Sequence, residues 1–162
     1  MDQLPLGLSA GLEAWMDAVR DMAQAPDFYC VLPAADPDRG FDIGIERAGG
    51  RVTATFGGLI HDCEAGVDEA LTWVQRAYTP GWRLRVDSVG GRPVTFTLEN
   101  PAEPAAGCIS SAYVTLFAGW RQRSTATYVN APASAQELAR ALSDRQPGGG
   151  GQSTAPKAAA GG

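Results

Sequence analysis

Trp82-Arg83-Leu84-Arg85-Val86-Asp87, then Gly90-Gly91, then Val94-Thr95-Phe96-Thr97-Leu98-Glu99 is the stretch whose reading decides the fold. On both sides of the glycine pair an apolar residue takes every second position, the side-chain period of a strand with one face buried. Glycine reaches the positive φ that a tight reversal needs, so the stretch predicts a β-hairpin. The pattern recurs upstream. Phe41, Ile43 and Ile45 alternate with Asp42, Gly44 and Glu46; Ala48-Gly49-Gly50 reverses the chain; Val52, Ala54 and Phe56 alternate with Arg51, Thr53 and Thr55. Gly57-Gly58 reads as a bend or bulge before Leu59 and Ile60.

Working outward, Asp27 to Leu32 is a short β-prone run bounded by the turn-rich stretch Pro33 to Gly40. Cys108 to Trp120 is apolar on both faces and predicts a central strand, turned at Arg121-Gln122-Arg123 into a last strand, Ser124 to Asn130. Leu8, Leu12, Trp15, Val19 and Met22 fall on one helical stripe, with Ser9 as its expected N-cap and Pro26 beyond its end. Val67, Ala70, Leu71, Val74, Ala77 and Tyr78 make a second stripe, with Asp68 and Glu69 where acids complement a helix N-terminus. Ser134-Ala135-Gln136-Glu137 fits a capping box and predicts a short third helix through Leu138, Ala141 and Leu142. The expected class is α+β: a largely antiparallel sheet of six to seven strands, two or three helices packed on one face, order αβββαββββα.

A chain of 162 residues, 44% of them apolar, suits one core, and a single α+β domain is expected over residues 1–146. From Pro147 the chain holds only Gly, Ala, Ser, Thr, Pro, Gln and one lysine. Such composition does not offset the entropy of ordering, so residues 147–162 are expected to form a disordered tail. With 13 basic against 18 acidic residues the net charge is -5, which opposes electrostatic capture by nucleic acid or an anionic membrane. No apolar run is long enough to span a bilayer and the start lacks the cationic segment of a secretory signal, so a cytoplasmic location is expected. The three cysteines are an odd number, which favours reduced thiols. Arginine far outnumbers lysine and glycine is abundant, a bias that reads as a GC-rich bacterial genome.

The hairpin Phe41 to Phe56, the segment Asp68 to Phe96 with Trp82-Arg83-Leu84-Arg85-Val86, and Leu116 to Asn130 with Trp120-Arg121-Gln122-Arg123 together resemble a group of small bacterial α+β proteins of unknown function. In that group a Trp-His pair often follows the first hairpin, where this chain has Leu59-Ile60-His61. In architecture the chain also resembles class I secretion chaperones, small acidic dimers that hold an effector's unfolded segment. It departs from them in the extra strand pair Cys108 to Asn130. That resemblance implies a binding role without naming a partner.

His61-Asp62-Cys63-Glu64 is the densest set of potential ligands, but a zinc site would need Cys30 or Cys108 to join His61 and Cys63, and no Cys-x-x-Cys pair is present. The set reads as a polar turn into the second helix. Cys30 and Cys108 sit in apolar surroundings where cysteine behaves as a small buried hydrophobe. No Gly-x-Ser-x-Gly elbow exists and no glycine pair leads into Lys-Ser or Lys-Thr, so neither a hydrolase nucleophile nor a phosphate loop is predicted. No metal or cofactor is expected. Binding residues are sought instead among Arg83 and Arg85 on a strand's polar face, and Arg121 and Arg123 at a hairpin tip, which together could grip carboxylates or phosphates. The plainer reading is a solvated face shared with Asp87 and Glu99. Trp73, off the second helix's stripe, and Trp120, at a hairpin end, are the candidate contact anchors. The expected function is a non-enzymatic protein-interaction domain, an immunity-like or chaperone-like partner of another bacterial protein, with a homodimer compatible. The alternative is a small-molecule-binding domain or enzyme with a pocket near His61 and Cys63.

Overall fold

Alternating and helical patterns become elements in the order α1 (Leu6–Met22), β1 (Phe28–Leu32), β2 (Ile43–Ala48), β3 (Arg51–Phe56), β4 (Leu59–Cys63), α2 (Val67–Ala77), β5 (Arg83–Val89), β6 (Arg92–Glu99), a 3₁₀ turn (Pro104–Ala106), β7 (Cys108–Ala112) and β8 (Arg123–Tyr128). The structure, a computed structural model, describes residues 6–34, 36–113 and 122–130, with side chains in α1 from Gly11 onward. The expected helix Ser134–Leu142, the tail 147–162, Trp120 and Arg121 lie outside the described residues.

The class is α+β and every strand pair is antiparallel, but the strands form two four-stranded sheets, β1-β2-β3-β4 and β7-β6-β5-β8, in place of a single sheet of six to seven. The difference begins at Gly57-Gly58. Gly57 takes φ 61°, and Phe56 faces Leu59 across the ladder, so the glycines make a two-residue turn and not a bulge. A fourth strand returns, His61-Asp62-Cys63 belongs to it and not to a turn, and the first sheet is complete before α2. The sheets meet without a ladder: β4 lies beside β7, where the Ile60 N–H donates to Ser111 Oγ at 3.4 Å.

Two other expectations change. The strand starting at Cys108 is not central: it ends at Ala112 on the outside of β6, with only Ile109 buried and Cys108 exposed. The remainder of the expected strand, residues 114–120, lies outside the described residues. Ser9 is not an N-cap, because α1 begins three residues earlier, at Leu6.

Both helices cover one face of the first sheet. Ile43, Phe56 and Leu59 stand opposite one another across β2, β3 and β4, as do Ile45, Ala54 and His61. Against these pack Leu12, Trp15, Met16 and Val19 of α1 and Ala70, Leu71, Val74 and Ala77 of α2, all buried. Each fully buried aliphatic side chain contributes about 1.5–3 kcal/mol. The same cluster runs through Tyr78 and Trp82 into Leu84, Val86, Leu98 and Ile109, so the two sheets share one core. The last strand is tied to the first hairpin's approach: Val129 N–H donates to the Arg39 carbonyl at 2.8 Å and Phe41 N–H to Asn130 Oδ1 at 2.9 Å.

Candidate functional site

The titratable cluster sits where β4 faces α2. Alternation turns His61 toward the helix layer, and its Nε2 lies 3.0 Å from Glu69 Oε1, while Glu69 Oε2 accepts the Ala65 N–H at 2.8 Å. The Ala65 N–H first, and His61 second, hold the Glu69 carboxyl below its ordinary range. Burial pushes the Cys63 thiol up to about 11, with the Glu69 charge adding to it, and burial pushes Cys30 to about 11. Both thiols are therefore protonated at neutral pH and lack the lowered pKa of a reactive nucleophile. The described residues hold no group of three or more His, Cys, Asp or Glu placed for a metal ion. A pocket of about 280 Å³ near Cys63 is lined by Arg51, Asp62 and Glu64, without His61 in its wall.

Trp73 does stand beside the apolar stripe. Glu69, Trp73 and Arg76 share a flank of α2 at i, i+4 and i+7. Trp73 meets His61 and Trp82 edge-to-face, with ring centroids 5.9 Å apart in each pair. The Arg76 guanidinium carbon lies 4.4 Å from the Trp73 ring centroid and 5.4 Å from that of Trp82. The indole is thus half-buried in a closed aromatic–cation cluster.

The sheet brings Arg83 and Arg85 together on the outer face of the second sheet, along with carboxylates. Arg83 donates to Glu99 Oε1 through Nε and Nη2 at 3.2 and 3.0 Å; Arg85 lies 3.5 Å from Asp87 and 3.9 Å from Glu99. The Glu99 and Asp87 charges offset these two arginines. Arg123 opens β8 on the same face, opposite Val89, and is exposed with no carboxylate in ion-pair range among the described residues.

Sequence reading did not single out the feature that most resembles a binding surface. β8 ends the order β7-β6-β5-β8, so among the described residues one of its edges has no strand beside it. Val129 N–H points away from β5, toward Arg39. Backbone groups alternate sides along a strand, so those of Thr127 and Thr125 also face the free edge. Beside β8 an apolar cleft of about 270 Å³ runs between the second sheet and the β3–β4 turn, lined by Phe41, Gly58, Leu84, Val86, Phe96 and Tyr128 among others. Ser124 and Ala126 share the face of Tyr128, but they are short and exposed, so no large side chain of β8 stands between the cleft and that edge. The available signal was the run Ser124-Thr125-Ala126-Thr127, β-forming but without a large apolar side chain to bury.

No protein-family model, curated protein or solved structure matches this chain.

Proposed function

We propose that the chain is a non-enzymatic protein-interaction domain that takes an extended segment of another protein as an added strand along β8. What carries this reading is the β8 edge at Thr125 and Thr127, which no strand among the described residues covers, beside the apolar cleft. In strand addition the main-chain groups of the edge supply affinity and pockets for alternate side chains supply specificity. Edge strands are commonly blunted by lysine, proline or a bulge, and Arg123–Tyr128 contains none of these. Of the remaining outer strands, β4 and β7 lie beside each other, and β1 offers less because its inward residues Phe28, Cys30 and Leu32 already pack on the core. An immunity-like or chaperone-like partner in the cytoplasm would use such an edge, with Thr125, Thr127, Phe96 and Tyr128 as its contacts and the paired Arg83 and Arg85 set aside.

A Thr127→Pro variant tests this. Proline deletes the N–H facing the free edge and is tolerated on edge strands. A phage-displayed library of random dodecapeptides is selected on the full chain and on the variant. Wild type is expected to enrich peptides that Thr127→Pro, with unchanged far-UV dichroism, does not hold. No enrichment, or binding indifferent to the proline, defeats the reading.

A further inference from the structure

We infer that the segment taken by β8 runs antiparallel to it, places apolar side chains at two alternate positions, and carries an acidic residue just after them, opposite Arg123. This rests on the strand-addition reading. Register converts the edge into a specificity. In the antiparallel sense, which every strand pair of this fold uses and which is the more stable per residue, successive partner residues stand opposite Thr127, Ala126, Thr125, Ser124 and Arg123. Side chains directly opposite each other share a face. The partner residues opposite Ala126 and Ser124 therefore project on the cleft side, where Phe96, Val86 and Tyr128 leave apolar space. Those opposite Thr127 and Thr125 meet hydroxyls on the polar face, Thr125 Oγ1 already donating to Asp87 at 2.7 Å.

Charge distinguishes the two ends. At the Arg123 end, Arg92 and Arg123 both stand opposite Val89, on the same face, and among the described residues Arg123 has no carboxylate such as Arg83 and Arg85 have. An incoming Asp or Glu supplies it. At the other end, the loop whose Arg39 carbonyl closes the edge also carries Asp36, Asp38 and Asp42. A basic residue ahead of the apolar pair suits that end. A second copy of this chain is a poor occupant. Paired antiparallel about Thr125, two β8 strands would set Ser124 against Ala126 and Arg123 against Thr127, filling neither the cleft nor the charge, between two chains of net charge -5.

The dodecapeptide selection reads this directly, with Arg123→Glu as a second bait. Enriched peptides are expected to alternate apolar and polar residues and to place Asp or Glu on the C-terminal side. Arg123→Glu should select Lys or Arg there and bind the leading wild-type peptide about tenfold more weakly by calorimetry at low salt. Peptides that depend on the Thr127 N–H but show no acidic preference, or that bind Arg123→Glu equally, overturn this inference and leave strand addition standing. Peptides indifferent to Thr127→Pro sink strand addition itself. Sedimentation of the full chain gives the remaining outcome: a dimer abolished by Thr127→Pro would put a second copy on the edge and overturn the inference.

Discussion

Gly58 lies against the ring of Phe96: a Cβ at Gly58 would stand 2.4 Å from two ring carbons. Unlike Gly57, Gly58 does not need positive φ, so the close approach is what calls for glycine there. Tyr113 meets the Phe96 ring edge-on with centroids 5.9 Å apart and anchors its hydroxyl on the Gly58 carbonyl at 3.1 Å, so a retreat of the ring into the cleft it lines gives up that contact. Gly58→Ala should therefore behave as overpacking and cost about 1–3 kcal/mol. The urea midpoint should fall with the slope unchanged, and a second change, Phe96→Leu, should restore part of the loss. An unmoved midpoint would mean that the turn and the ring are not in contact.

Asn130 holds the end of the last strand to the approach of β2. Its Oδ1 accepts the buried Phe41 N–H, and a Cβ at Gly40 would come within 2.8 Å of that same oxygen. Asn130→Ala leaves the Phe41 N–H without a partner, which costs about 1–3 kcal/mol. Hydrogen exchange should show the loss locally, with the Phe41 and Val129 amides accelerating more than those of the β2–β3 ladder. Uniform acceleration would speak against a local latch.

The two hairpins were legible because alternation fixes which residues share a face: Ile43 opposite Phe56 and Leu84 opposite Leu98 follow once the glycine turns are placed. Gly57-Gly58 was misread because a bulge and a two-residue turn carry the same glycine signal, and only the pairing of Phe56 with Leu59 separates them. The position of β7 at a sheet edge is topological and leaves no local trace, and β8 betrays its place only by the absence of large apolar side chains from Ser124 to Thr127. Trp73 was correctly read as lying beside its helix's apolar stripe, yet its partners His61 and Trp82 come from two other segments. Alternation placed Arg83, Arg85, Asp87 and Glu99 on one face; that Glu99 closes on both arginines depends on a register that composition does not reveal.

The three thiols should separate by exposure. Cys108 is exposed, whereas Cys63 is buried and Cys30 half-buried, both with pKa pushed up to about 11. At pH 8 a disulfide-exchange reagent should release one fast equivalent, absent from Cys108→Ser, and the other two only on unfolding. A thiol whose pKa rises on folding stabilises the fold fully below its ordinary value of 9.0, and that contribution is lost as pH rises toward about 11. Stability should fall across that interval, and fall less in a Cys30→Ala, Cys63→Ala double variant measured against its own neutral-pH value. Three equally fast thiols would contradict the burial of Cys63.

The acid side has the opposite sign and a different residue. Glu69 is held below its ordinary pKa of 4.5 by the Ala65 N–H and by His61. A carboxyl depressed on folding contributes stability that is present above the unfolded value and disappears as pH falls through the folded one. Glu69→Gln keeps an oxygen for the Ala65 N–H but has no charge to lose. Wild type should therefore lose stability more steeply than Glu69→Gln as pH drops below 4.5, and the two urea-midpoint curves should converge at the acid end. Because Glu69 also orients the His61 ring against Trp73, the variant should alter the near-UV dichroism of the indoles at neutral pH. Parallel midpoint curves with unchanged indole bands would show that the His61–Glu69 contact supplies neither charge nor orientation to the α2 flank.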